Sequence, residues 1–221
     1  MKIKWLLAAN CIILFMLVVA CSSTEKLDKD NNLQLQEAIK RIEASEFKLN
    51  YFKMDYNEYL DEIEELIDQS YLETMNQLIR FGHNDENYTG IDLIDMPKTE
   101  WLEHKTYMVE IMSQLGMMNN IDVSIQISDF YALDESDTGY IYTTELKQLK
   151  GEPFTHTNKK YELKLIDKTW FISDVAFDNF TYGSDMSEEH IRQQLAELLY
   201  QTHNDKPVSY TSELLLSLKE D

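Results

Sequence analysis

The chain has 221 residues, enough for one domain of ordinary size, and 43% of them are hydrophobic, so it can bury a core. Forty acidic residues stand against twenty basic ones, and the resulting net charge of −20 would be repelled by a phosphate backbone. Nucleic-acid binding is therefore excluded as a function class. With only six glycines and three prolines, collagen-like and Gly/Pro-rich proteins are excluded as well.

Residues 1–20 are predicted to be a lipoprotein signal peptide. Lys2 and Lys4 precede an uncharged apolar run that is short for a transmembrane helix. The run ends in Val-Val-Ala-Cys, followed by Ser-Ser-Thr, and this ending resembles a bacterial lipobox. The resemblance implies that the Cys21 thiol receives diacylglycerol, which would anchor the protein at the extracytoplasmic face of the cell membrane. The alternative is an uncleaved anchor helix with an incidental cysteine.

The two cysteines of the chain both fall in this N-terminal region. Cys11 lies inside the predicted signal peptide, and Cys21 would be linked to lipid. On this interpretation no thiol is left for a disulfide, a thiolate metal site or a nucleophile.

A flexible tether over 21–32 is predicted next, because residues 22–32 are polar and lack aromatic side chains. A single α+β extracytoplasmic domain is predicted over 33–221. Its first part, 33–81, has apolar residues every three or four positions and no glycine or proline, which predicts helices. Ser70 and Glu73 fit a capping box, so we expect a break near Ser70.

Seven acidic residues crowd the predicted helix between Asp55 and Asp68. Like charges three or four positions apart repel each other on a helix, and the usual explanation is a solvated face. The alternative is a docking surface for a basic partner or for divalent cations.

Residues 82–99 are predicted to be a loop because glycine, asparagine, aspartate and proline recur there. A helix over 99–118 follows, with Thr99 as the expected N-cap and Gly116 placed for the C-cap.

An antiparallel sheet is predicted over 121–177. Isoleucine and valine alternate with polar residues from Ile121 to Ser128, which is the pattern of a half-buried strand. Further strand-like runs are separated by turn residues: Tyr140–Leu149, Tyr161–Ile166 and Thr169–Phe177. A last helix is predicted over 187–200, with Ser187 as its N-cap. The placement of the segment from Pro207 to Asp221 stays open.

The predicted fold is therefore α+β: N-terminal helices packed on a curved antiparallel β-meander, then a C-terminal helix. This order, with Lys-Thr-Trp-Phe-Ile-Ser-Asp-Val over 168–175, resembles the NTF2-like, cone-shaped domains of Gram-positive surface lipoproteins. The resemblance covers roughly residues 50–180. It implies a curved sheet that wraps a long helix and leaves a pocket, which is sometimes catalytic and often a binding or assembly surface.

Residues 134–145 resemble an EF-hand calcium loop, with Gly139 at the sixth position. The simpler alternative is the turn of a β-hairpin over 134–139, since the preceding segment alternates with period two. Calcium is the one cofactor that the sequence suggests. The candidate ligands are Asp134, Ser136, Thr138, Tyr140 and Glu145.

The common catalytic sequence signatures are absent: GxGxxG, the P-loop, GxSxG and HExxH do not occur. Trp101, His104 and Trp170 are the candidates for a pocket that would take a glycan or peptide, and His104 is the one nominee for acid–base chemistry. A structural, partly buried histidine is the alternative. We therefore expect a binding or assembly module at the cell surface, whose partner is a surface protein or a cell-wall ligand. The alternatives are an enzyme built on an NTF2-like pocket and a calcium-binding protein.

Overall fold

The computed structural model describes residues 29–83, 86–133, 136–183 and 185–218, and it confirms the α+β class and the antiparallel sheet. From Gln34 onward the described chain forms one compact unit, which holds the sheet and most of the helical residues. The predicted signal peptide and Cys21 lie outside the described residues.

Helices form the first part of the described chain: α1 (Lys29–Asn50), α2 (Tyr56–Ile63), a 3-10 turn (Glu64–Leu66) and α3 (Gln69–Leu78). Helix α1 begins within the predicted tether rather than at Leu33. The break predicted near Ser70 is present, but Asp68, not Ser70, is the N-cap residue of α3. Asp55 and Glu58 form a reciprocal capping box that starts α2, which explains why these two acidic residues lie close together.

The interpretation of 82–99 as a loop is wrong. Strands β1 (Arg80–His83) and β2 (Glu86–Thr89) pair as an antiparallel hairpin, and the short helix α4 (Gly90–Ile94) follows. Thr89 caps α4 together with Asp92. Turn-forming residues are common in this segment because they start the helix as well as the turns.

Helix α5 (Lys98–Gln114) begins one residue before the predicted start, with Pro97 in place of Thr99 as the N-cap residue. It ends at Gln114, four residues before the predicted end at 118, and the predicted cap glycine follows two positions later. Gly116 adopts φ +67°, its N–H donates to the Ser113 carbonyl, and the Met117 N–H donates to the Met112 carbonyl. This pair of bonds is a Schellman motif, which requires the left-handed conformation that glycine adopts without strain.

The main sheet is antiparallel and is formed by six strands: β3 (Ile121–Ser128), β4 (Tyr131–Ala132), β5 (Thr138–Leu149), β6 (Glu152–Ile166), β7 (Thr169–Thr181) and β10 (Tyr210–Ser217). The strand order is β10-β3-β5-β6-β7, and the short strand β4 pairs with β5. The β5–β6 and β6–β7 connections are two-residue turns with positive φ at both positions, the geometry that matches the twist of a hairpin. Strand β6 is much longer than the predicted run, and β10 pairs with β3 beyond the predicted end of the sheet.

The two faces of the sheet are covered by different parts of the chain. On the inner face, α1 contributes buried apolar side chains, and its Gln36 side chain donates to the Ser128 carbonyl on β3. The C-terminal segment, which contains α6 (Glu188–Glu197) and the hairpin of β8 (Thr202–His203) and β9 (Lys206–Pro207), lies on the outer face, where Tyr142 bonds to His203 and Asn158 donates to the Leu199 carbonyl. Ser187 caps α6 as predicted, by accepting from the His190 N–H.

Candidate functional site

A buried ionic cluster joins α1 to the inner face of the sheet. Lys159 on β6 donates to Glu43 at 2.7 Å and to Glu46 at 2.8 Å, both on α1. Glu43, only 2% exposed, also accepts from the Tyr161 hydroxyl at 2.7 Å and from the Thr143 hydroxyl at 3.1 Å. A buried carboxylate is stable only with such a set of donors, so Glu43 is held in place by three side chains of the sheet.

The protonation of this cluster follows from its charges. Burial by itself lowers the pKa of Lys159, but the neighbouring Glu43 and Glu46 outweigh it and hold the pKa well above its usual value. Burial, together with Glu43, raises the pKa of the Tyr161 hydroxyl well above its usual value. At neutral pH Lys159 is therefore a fixed cation and Tyr161 a neutral hydrogen-bond donor.

A cavity of about 440 Å³ lies beside this cluster, between α1, α2, α3 and strands β6 and β7. Lys159, Tyr161 and Glu46 form its polar end. The rest of the wall is mainly apolar and aromatic, and it includes Ile42, Leu49, Tyr59, Tyr71, Met75 and Ile172. A concave site of this size with few, converging polar groups is typical of small-molecule binding sites.

The cavity reaches the surface. Its wall runs from Tyr161, which is 1% exposed, to Leu78 and Phe177, which are 67% and 65% exposed. Arg80 also lies in the wall, and its guanidinium donates to the carbonyls of Gln77 and Ile79 at the end of α3. A ligand could therefore enter past apolar side chains toward a charged interior end.

The carboxylate of Glu46 contributes to the raised pKa values of two tyrosines in the cavity wall. Burial raises the pKa of Tyr71 to about 12, and the carboxylates of Asp174 and Glu46 contribute to the shift. Burial, with a contribution from Glu46, also raises the pKa of Tyr59. Both hydroxyls are therefore neutral at physiological pH, and at each of them the effect of Glu46 is larger than the opposing effect of Lys159.

The outer face of the sheet carries a second, aromatic cluster. The Tyr142 hydroxyl lies 2.9 Å from His203 Nδ1, and the Tyr131 ring lies 4.5 Å from the His203 ring. Lys160 Nζ lies 3.8 Å from the ring centroid of Tyr140, within cation–π distance. Burial, with a contribution from Lys160, lowers the pKa of His203.

The predicted pocket residues lie at two places in the fold. Trp101 on α5 packs against Phe52 and Phe81. His104 is 4% exposed, its ring packs edge-on against Tyr88, and its Nε2 lies 3.8 Å from the Glu100 carboxylate. Both side chains contact or adjoin Phe81, which lines the cavity, so they support its wall from behind.

Trp170 belongs to a different environment. It lies on β7 and packs against Phe130 with the ring centroids 4.8 Å apart.

The residues that form the polar end of the cavity were missed by the sequence analysis. For the buried cluster beside the cavity, the one signal in the sequence is the position of Glu43 on the apolar side of α1, one residue after Ile42, but its partner Lys159 lies 116 residues away.

The candidate calcium loop takes an extended conformation over most of its length. Thr138, Tyr140 and Glu145 all lie on β5, and Gly139 pairs with Ala132 on β4 as in a hairpin. A strand rises about 3.3 Å per residue, so Thr138 and Glu145 are about 23 Å apart and cannot bind one ion. Ser136 lies in the bend before β5, and Asp134 lies outside the described residues.

The acidic residues between 55 and 68 do not form one continuous helix, because α2, the 3-10 turn and α3 divide them. Glu62 and Glu65 pair with Arg41 on α1, at 3.6 Å and 2.5 Å.

Within residues 29–83, 86–133, 136–183 and 185–218, no group of three or more His, Cys, Asp or Glu side chains could hold a metal ion.

No helix in the described part of the chain is long and apolar enough to cross a membrane. Comparison with known proteins adds no family: no protein-family model matches the chain, and no curated protein shows significant similarity to it.

Proposed function

We propose that this protein is a lipid-anchored binding protein of the extracytoplasmic membrane face, whose folded domain takes a small, largely apolar molecule into its internal cavity. The observation that carries this proposal is the cavity of about 440 Å³, with apolar walls, one charged end and an opening at Leu78 and Phe177. The anchoring part of the proposal is supported by the lipobox-like sequence that ends at Cys21.

The protonation of the cavity favours binding over acid–base catalysis. A general base at neutral pH needs a pKa near 7. The pKa values of Lys159 and Tyr161 are both raised well above their usual values, and Lys159 is fixed between two carboxylates. These two groups are therefore suited to hold a fixed charge pattern rather than to exchange protons with a substrate.

Assembly with another surface protein is a second candidate, favoured by a separate observation on α5. Leu102 and Tyr107 are about half exposed and flank a shallow surface groove together with Glu103 and Glu110. A homogeneous monomer in sedimentation of the membrane-extracted protein, with no co-purifying protein, would exclude stable assembly.

Photolabelling tests the proposed binding directly. Membranes of a Gram-positive expression host that contain the full chain are mixed with a neutral alkyl alcohol that carries a diazirine. The sample is irradiated, and the protein is then digested into peptides. We expect labelled peptides from β7 and α3, which line the cavity.

A cavity-filling variant controls for labelling at the membrane surface. Val175 lines the cavity, so Val175→Trp should remove most of the label. Asn179→Trp places the same ring at an exposed position of the same strand and should leave the labelling unchanged. Equal labelling of both variants, or no label on β7 and α3 of the unmodified chain, would contradict the proposal.

A further inference from the structure

The polar end of the cavity carries more negative than positive charge. Lys159 is its one buried cation among the described residues, and it faces two carboxylates, Glu43 and Glu46. Glu43 accepts three hydrogen bonds through its two oxygens and is shielded from the cavity by burial. The excess negative charge is therefore left on Glu46.

Glu46 is also the carboxylate that a ligand could reach. Its side chain is 40% exposed and lies in the cavity wall, and its Oε2 accepts from Lys159. No other hydrogen bond to Glu46 occurs in the described parts of the chain, so Oε1 can accept from a further donor. A charged donor at this position would form the strongest hydrogen bond available there.

The surroundings favour a cation at this point and oppose an anion. Besides burial, Asp174 and Glu46 both raise the pKa of the Tyr71 hydroxyl and Lys159 lowers it by less, so the negative charge prevails at this part of the wall. An apolar, partly enclosed site screens such a field much less than water does. Arg80, the first residue of β1, is exposed, so solvent screens its positive charge, and its guanidinium is held by the carbonyls of Gln77 and Ile79.

We propose that the cavity selects an amphipathic amine, a molecule with one ammonium group on an apolar body, and that Glu46 binds the ammonium while the walls from α1, α3 and β7 enclose the apolar body. This inference depends on the proposed binding function, because it names the class of ligand for the same cavity. In this arrangement Glu46 binds the charged group of the ligand, whereas Glu43 holds α1 to the sheet.

Three probes that differ only in the head group test the inference. Diazirine-bearing alkyl chains of one length, ending in an amine, an alcohol or a carboxylate, are compared on the full chain in membranes. We expect the amine to label β7 and α3 at a concentration about tenfold lower than the alcohol does, because a charge-assisted hydrogen bond adds to the same apolar contacts. The carboxylate should label least.

The variant Glu46→Gln keeps the size of the side chain and removes its charge, so the amine should lose its advantage over the alcohol. Glu37→Gln is the matched control, because Glu37 is an exposed residue of α1 that pairs with Lys40. Thermal unfolding of Glu46→Gln should show a cooperatively folded protein, because Lys159 still donates its hydrogen bond to the Glu43 carboxylate.

The outcomes separate the two proposals. Labelling of the cavity by the alcohol with no preference for the amine would overturn the amine assignment and leave the binding function standing. Absence of cavity labelling by all three probes would overturn both. An amine preference that survives in Glu46→Gln would show that Glu46 is not the recognising group, and would also contradict the inference.

Discussion

The two faces of the sheet bury polar groups in opposite ways. On the inner face, Glu43 and Lys159 are charged, and each has charged or hydroxyl partners on α1 or the sheet. On the outer face, Tyr142 and His203 form a neutral pair among aromatic rings. A buried charge needs every partner in place, whereas a neutral aromatic cluster tolerates the loss of one contact. The inner face should therefore be the more sensitive to substitution.

Adjacent lysines on β6 provide the largest test of this difference. Lys159 lies on the inner face between two carboxylates, and Lys160 lies over Tyr140 on the outer face. Lys159→Met should lower the free energy of unfolding by about 3–5 kcal/mol because it leaves a buried carboxylate without its counter-ion. Lys160→Met should cost only about 0.5–1 kcal/mol, the strength of a partly exposed cation–π contact.

Urea unfolding followed by circular dichroism measures both effects on the same scale. The double variant Lys159→Met, Glu43→Gln removes both buried charges, so it should recover part of the stability lost by Lys159→Met alone. Equal losses for the two lysine variants would show that the inner cluster does not depend on its charges.

Local sequence rules predicted the parts of the fold that are set by neighbouring residues. The helix end at Gly116 and the helix start at Ser187 are short-range hydrogen-bond patterns, and the structure has both. The strand alternation from Ile121 to Ser128 likewise matches β3, which buries Ile121, Val123, Ile125 and Ile127. Each of these signals extends over fewer than ten residues.

The cavity could not be predicted in this way, because its polar end joins residues far apart in the chain. Glu46 is one acidic residue among many on helices with solvated faces, and nothing near it in the sequence indicates that Lys159 will face it. Strand β10 was missed for the same reason, since its partner β3 lies some ninety residues earlier. His104 and Trp101 were singled out by residue type, but the structure makes them supports of Phe81 rather than cavity wall.

Two tyrosines give a smaller version of the same comparison. The Tyr161 hydroxyl donates to the buried carboxylate of Glu43, whereas the Tyr142 hydroxyl pairs with the neutral ring of His203. Tyr161→Phe should lower the free energy of unfolding by about 1.5–3 kcal/mol, the range for a hydrogen bond to a charged group. Tyr142→Phe should cost about 0.5–1.5 kcal/mol, as for a neutral hydrogen bond. Urea unfolding of the two variants measures these losses. A larger loss of unfolding free energy for Tyr142→Phe would contradict the expectation that the inner face is the more sensitive to substitution.

The smallest expected effects concern pH, where the two faces should respond with opposite signs. On the outer face, burial and Lys160 lower the pKa of His203 below 6.5, and Tyr131, Tyr140 and Tyr142 surround the ring. The folded state then prefers the neutral imidazole, so the contribution of His203 to stability is present above pH 6.5 and is lost as the pH falls through the folded-state pKa. Relative to His203→Gln, the unmodified protein should lose stability on acidification.

On the inner face, burial raises the pKa of Glu145 above 4.5, although Lys147 at 3.8 Å opposes the shift. The folded state then prefers the protonated acid, so the contribution of Glu145 is favourable below pH 4.5 and is lost as the pH rises through the folded-state pKa. Glu145→Gln should therefore be more stable than the unmodified protein at pH 7, by about 0.5–1 kcal/mol, and this advantage should shrink toward pH 4. Unfolding curves of both variants from pH 4 to pH 8 should give two difference profiles of opposite slope, because burial disfavours a cation at His203 and an anion at Glu145. Parallel slopes would contradict this account, because burial that disfavours the charged form must lower the pKa of an imidazole and raise that of a carboxyl, so that one group would have to be stabilised in its charged form instead.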